Sequence, residues 1–162
     1  MSRRNATSAG VNALVALVMI GGFVALAHAA EPPDNVEAEV NDAVQSCKDL
    51  EGTPNADAVL KVEDVNGDGG EDWIADYAKM KCEGRINPLC SNAGCTLQIY
   101  FWDGGTSWEV GFEDLVRSHK FGKSQGKRML YVTTSGIPCN KPVAETCKYT
   151  YRLEKDAVVP VE

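Results

Sequence analysis

The sequence predicts an α+β fold: one N-terminal helix packed on a mostly antiparallel β-meander of six to seven strands, stapled by disulfides. Three observations carry this. A 3.6-residue apolar period occurs once, near residues 34–50, and gives way downstream to short segments of period two punctuated by Gly, Asn and Asp. Six cysteines form an even set. A single Asp-x-Asn-x-Asp-Gly loop motif and no internal repeat are present, which argues against a complete propeller.

The first 29 of the 162 residues read as a secretory signal peptide. Arg3 and Arg4 supply a positive start, Ala13 to Leu26 an apolar segment interrupted by Gly21-Gly22, and Ala27-His28-Ala29 a small-x-small cleavage site before Ala30. The apolar run falls short of the ~20 residues that span a bilayer, so no stable membrane insertion is expected after cleavage. Residues 30–162 then form a single secreted domain, in the periplasm or outside the cell. It holds 14 Lys and Arg against 23 Asp and Glu, a net −9. A field of that sign disfavours nucleic acid and anionic membranes.

In this domain Asp34 and Glu37 are placed as a capping box opening a helix. Val36, Val40, Ala43/Val44, Cys47 and Leu50 form its buried stripe, and Gly52 and Pro54 end it. Strands follow at Val59 to Glu63 and Trp73 to Lys81. A hairpin joins Thr96–Trp102 to Ser107–Phe112 through Asp103-Gly104-Gly105-Thr106. Further strands are expected at Arg128 to Thr134, Cys147 to Leu153 and Ala157 to Val161. Cys47, Cys82, Cys90, Cys95, Cys139 and Cys147 all lie in the exported part, as three disulfides in an oxidising compartment require. Local spacing favours Cys139–Cys147, then Cys90–Cys95 and Cys47–Cys82. Zinc is disfavoured, because no Cys-x-x-Cys occurs and His119 is the one histidine left after cleavage.

The chemistry concentrates in Asp64-Val65-Asn66-Gly67-Asp68-Gly69-Gly70-Glu71-Asp72. A hard cation such as Ca²⁺ takes six to eight oxygens, and a short loop supplies them by curling round the ion. Asp64, Asn66 and Asp68 are expected to point inward, with the carbonyl of Gly70 and then Asp72 completing the set. Gly69 permits the sharp bend. An EF-hand is excluded, since strands flank the loop and position 12 is Ala75 where a bidentate Glu is needed. The motif Asp-x-Asn-x-Asp-Gly-x-x-Asp resembles the calcium loop of FG-GAP and VCBS-type repeats, including those of integrin-like propeller blades. That resemblance implies the same five ligands: Asp64, Asn66, Asp68, Gly70 and Asp72. The chain as a whole also resembles small secreted proteobacterial proteins that combine such a loop with a Cys…Gly-Cys loop, which implies no activity.

Two other features stand out. Tyr100, Trp102 and Trp108 flank the Asp103 turn, either as hairpin core or as a binding surface for a partner protein or envelope glycan. Arg117, His119, Lys120, Lys123, Lys127 and Arg128 form a basic run with no acid among them, read as a solvated loop around Gly122 and Gly126 that is also open to an anionic envelope polymer or acidic partner. Catalysis has little to use: there is no Gly-x-Ser-x-Gly elbow, and six paired cysteines leave no thiol. The expectation is a non-enzymatic, exported, calcium-binding interaction module whose ion is structural. The alternative is a periplasmic inhibitor of an envelope-active enzyme, because Ser135-Gly136-Ile137-Pro138 partly matches a Ser-Gly-x-x-Tyr loop of lysozyme inhibitors but lacks the Tyr. A hydrolase built from chain-distant carboxylates comes third.

Overall fold

The computed structural model describes residues 31–161 except Thr106. The expected signal peptide lies outside the described residues. Among the described residues no helix is long and apolar enough to cross a membrane.

Helix α1 spans Asp34–Asp49 and buries Val36, Val40, Ala43 and Cys47, one face at helical spacing. It starts one residue earlier than a capping box at Asp34 requires. Pro33, extended at φ −61° and ψ 149°, occupies the N-cap, its carbonyl accepts from Glu37 N at 2.9 Å, and no side chain caps the end. Asp34 and Glu37 in the first turn and Lys48 in the last still match the helix dipole. Leu50 falls past the helix and is exposed, so it leaves the predicted stripe.

Among the described residues, eleven strands in three sheets replace the single meander of six to seven. A two-stranded ribbon pairs β1 (Thr53–Asn55) with β4 (Lys81–Glu83). The central sheet runs β2 (Leu60–Glu63), β3 (Asp72–Asp76), β6 (Gly94–Trp102) and β7 (Trp108–Val116), with the short β5 (Cys90–Ser91) alongside the start of β6. The third sheet is β8 (Ser118–Ser124), β9 (Lys127–Ser135), β10 (Thr146–Leu153) and β11 (Val158–Pro160), all antiparallel.

The central sheet is covered on both faces. Trp73, Ala75 and Tyr100 pack with α1 in one core, whereas Ile74, Leu97, Ile99 and Phe101 pack with Leu130, Val132 and Leu153 in a second. Strict alternation along β3 and β6 sends successive residues to opposite cores. Burial on both sides is why β3 reads as a continuous buried run from Asp72 to Ala75.

Several departures from the expected strands have local causes. The strand expected over Trp73 to Lys81 breaks at Tyr77, where Asp76 accepts from Ala78 N at 3.1 Å and opens a 3₁₀ turn, Tyr77–Lys79. Strand β8 falls inside the basic run that was expected to be a solvated loop. Its Lys-rich, Gly-containing sequence suits a sheet edge, where charge blocks strand addition. The β8–β9 turn is Gln125-Gly126, both at positive φ, the two-residue geometry that matches strand twist. At Arg117 the chain passes from β7 in one sheet to β8 in the other, and Arg117 N already joins the second ladder by donating to Thr133 O at 2.7 Å.

The three disulfides are Cys47–Cys82, Cys90–Cys95 and Cys139–Cys147, with Cα separations of 5.8, 4.0 and 6.3 Å. The first ties α1 to β4 across 35 residues, and the second spans directly opposed residues of β5 and β6. A crosslink restricts the unfolded chain more as its loop lengthens. The Cys47→Ser/Cys82→Ser pair is therefore expected to cost ~2–5 kcal/mol in urea denaturation, clearly more than Cys90→Ser/Cys95→Ser. An equal loss from the two pairs would contradict loop length as the cause.

Gly111 marks a bulge in β7, where the register with β6 shifts between Ile99 and Tyr100. The Phe101 ring lies on it so closely that a Cβ there would meet Cδ2 at 2.3 Å. Gly111→Val should destabilise by ~1–3 kcal/mol, as overpacking does, and adding Phe101→Leu should restore part of that loss. An unaltered urea midpoint for Gly111→Val would show that the bulge relaxes freely.

Candidate functional site

The Asp64–Glu71 loop closes the β2–β3 hairpin just beyond the last ladder pair, Glu63 and Asp72. Each turn of the loop is held by a side-chain oxygen on a backbone N–H. Asp64 accepts from Gly67 N at 2.6 Å and from Gly69 N at 3.2 Å, using both carboxylate oxygens. Asn66 Oδ1 accepts from Asp68 N at 2.9 Å, and Asp68 Oδ1 from Gly70 N at 2.8 Å. Gly67 and Gly69 sit at φ 85° and 91°, a region that resists side chains.

Two contacts from outside the loop orient these groups. Asn66 Nδ2 donates to the Lys155 carbonyl at 2.8 Å, so the amide turns its Oδ1 back toward the loop. Trp108 Nε1 donates to Glu71 O at 2.8 Å. Asp72 is the anchor. It is 1 % exposed and accepts from Val65 N at 3.0 Å, with the Asn66 and Trp102 amides also contributing. Burial is the largest influence on its carboxyl and raises it from 3.8 to about 6. The backbone N–H groups oppose this, and the nearby Asp68 charge adds to it.

The donor set suits a hard cation. Asp68 uses one carboxylate oxygen for the loop and keeps Oδ2, the Asp64 oxygens retain lone pairs, and the Asn66 amide is turned the right way. Among the described residues, no three His, Cys, Asp or Glu side chains lie together as a metal cluster. Asp64, Asp68 and Asp72, all expected to share an ion, are therefore not gathered into one ligand group, and an ion here would draw on the Asn66 amide and backbone carbonyls beside fewer carboxylates.

The aromatic trio divides by depth. Tyr100 is 1 % exposed, with its hydroxyl donating to Gln98 Oε1 at 2.8 Å, so it is core and lines no binding surface. Trp102 and Trp108 are half-buried cross-strand partners. The Trp102 ring comes within 3.0 Å of where a Gly70 Cβ would lie, and its Nε1 donates to Gly105 O at 2.9 Å. Both tryptophans brace the loop.

The basic run also divides. Arg117 points its guanidinium at the carbonyls of Asn92, Val143, Ala144 and Glu145, which pins two loops to the strand crossover. His119 lies in a separate cavity of about 290 Å³ with Asp76, Lys61 and Lys79, and burial lowers its pKa from the usual 6.5. Lys123, Lys127 and Arg128 instead line a cavity of about 450 Å³ whose opposite wall is Asp64, Asn66 and Gly67. Arg152 and Glu154 of the β10–β11 region complete it, and no sequence signal connected them to the loop. The Ser135-Gly136 pair is buried.

The raised Asp72 carboxyl has a defined sign. The native state holds that proton more tightly than the unfolded chain, so the stability it contributes falls as pH rises from about 4 to about 6, by on the order of 3 kcal/mol in all. With chelator present, Asp72→Asn removes this slope. Its stability relative to the native protein should rise across that range in urea midpoints taken at successive pH values. A difference that stays constant from pH 4.5 to 7.5 would refute the burial of an ionised Asp72.

Comparison with protein-family models, with curated proteins and with solved structures returns no match to this chain.

Proposed function

We propose that the chain is an exported, disulfide-stabilised domain that binds one structural Ca²⁺ at Asp64, Asn66, Asp68, Gly70 and Asp72 and acts as an interaction module. The observation that carries this is the orientation of the loop donors from outside the loop. Lys155 turns the Asn66 amide so that oxygen faces the loop, and buried Asp72 holds the loop to the sheet. Asp64, Asp68, Glu71 and Asp72 put four carboxylates within nine residues, a charge density that a dication would offset. The disulfides agree with a periplasmic or secreted location.

The ion is structural in this reading because its donors are local and the loop joins two strands of the central sheet. The interaction-module reading stands ahead of the inhibitor reading, since the loop lacks the Tyr of the inhibitor motif and its Ser135 and Gly136 are buried, only Ile137 and Pro138 being exposed. The partner is a protein or an envelope glycan.

Extracellular calcium modules bind at roughly 10⁻⁴–10⁻³ M, so 10 mM Ca²⁺ should stabilise the domain by about 1.4–2.7 kcal/mol over the chelated form. The measurement is a thermal melt in calcium and in EGTA. Asp68→Ala should abolish the calcium-dependent shift, with the melt in EGTA lowered only by the loss of the bond from Gly70 N. If native protein melts identically in calcium and EGTA, the loop is a turn and the calcium reading fails.

A further inference from the structure

The cavity beside the loop holds positive charge that the fold leaves unbalanced. Lys123 of β8 lies directly opposite Arg128 of β9, an arrangement that costs stability when both are charged. Arg128 shares the strand face of Leu130 and Val132, and Lys123 that of Phe121, so both side chains belong to the inner face at the open end of the two-sheet core. Arg128 Nε comes within 3.1 Å of where a Gly67 Cβ would lie, which places the guanidinium against the loop backbone.

The acids in the same cavity are already engaged. Glu154 is paired with Arg152 at 2.7 Å, and Asp64 accepts from the Gly67 and Gly69 amides. Among the described residues Lys123, Lys127 and Arg128 make no ion pair. Lys123 and Arg128, both unpaired, thus face one polar cavity of about 450 Å³ that Lys127, next along β9, also lines, in a domain that is otherwise strongly acidic.

We propose that this cavity is a binding site for a sugar-sized ligand bearing a phosphate group, held by Lys123, Lys127 and Arg128. A dianionic phosphate monoester balances three cations better than a single carboxylate does, and a guanidinium fork matches its oxygens. The volume lies in the range of small-molecule pockets and exceeds what a bare phosphate fills. Asp64 faces the same space, so its charge opposes an anion there. A cation on the loop removes that opposition. Calcium and the phosphosugar should therefore each tighten the other's binding, by about fivefold. The anion site stands without the calcium reading; the coupling rests on it.

The test is isothermal titration of the mature domain at 150 mM salt with glucose 6-phosphate, glucose, inorganic phosphate and phosphatidylglycerol vesicles, each in EGTA and in calcium. Glucose 6-phosphate is expected to bind in EGTA, with glucose silent and inorganic phosphate weaker. Arg128→Gln should weaken it ~10-fold or more without lowering the melting temperature, because a like-charge pair is relieved. Lys120→Gln removes the same charge from the opposite face of β8 and should change nothing. Equal losses from the two variants, or no binding of glucose 6-phosphate at millimolar concentration, would overturn the site. Inorganic phosphate binding as tightly would overturn the sugar-sized ligand, and vesicle binding alone would replace it with a membrane. Calcium that binds yet leaves glucose 6-phosphate affinity unaltered would overturn the coupling. Calcium that fails to bind removes the calcium reading and leaves the anion site to the EGTA arm.

Discussion

One buried carboxylate sets the position of everything at the candidate site. Asp72 begins the central strand β3 beneath the loop it closes, and its oxygens hold the amides at the loop's start. A charge in that position is costly, as its raised carboxyl records. The same cost is why the loop is held so firmly: an acceptor without water around it has no substitute for those N–H groups. Trp102 and Trp108 then lean on the loop from the neighbouring hairpin, and Asn66 reaches Lys155 near the C-terminus. Two segments far from the loop in sequence, the hairpin of Trp102 and Trp108 and the stretch at Lys155, thereby meet at its nine residues.

A second constraint brings the basic hairpin to that place. The chain must leave the central sheet after β7 and enter the outer sheet at β8 within one residue, and Arg117 makes the corner by serving both ladder and loops. The bulge at Gly111 lets the Phe101 ring lie against the β7 backbone in the core between the sheets. With the two sheets packed by Ile74, Leu97, Ile99, Leu130 and Val132, the tip of the β8–β9 hairpin can only stand against the Asp64 loop. An acidic loop and a basic hairpin, unrelated in sequence, become two walls of one cavity.

The legible parts of the sequence were those governed by local physics. Helix α1 followed from its apolar period, and β2, β6, β9 and β10 from alternation. Cys90–Cys95 and Cys139–Cys147 followed from short spacing, and Cys47–Cys82 was what parity then left. Strands β1, β4, β5 and β8 were not legible. Pro54, Gly122 and the lysines argue against strand locally, and edge positions are where such residues are tolerated. Tyr100 and Trp102 occupy the same face of β6, yet one is core and the other touches the loop, a difference of position along the strand that alternation does not encode.

By itself the sequence determined an acidic domain with six cysteines, one amphipathic helix, a strand-rich remainder and a loop of oxygen donors at calcium spacing. Those properties reside in residue type and short-range order. Tertiary structure alone decided that there are three sheets, that β3 is covered on both faces, and that Asp72 is buried. It also decided that Lys155 orients Asn66 and that Lys123 and Arg128 face Asp64 across a cavity. Each of these depends on which surfaces meet once the chain turns its corner at Arg117, and contacts across 60 to 90 residues leave no periodic trace in the sequence.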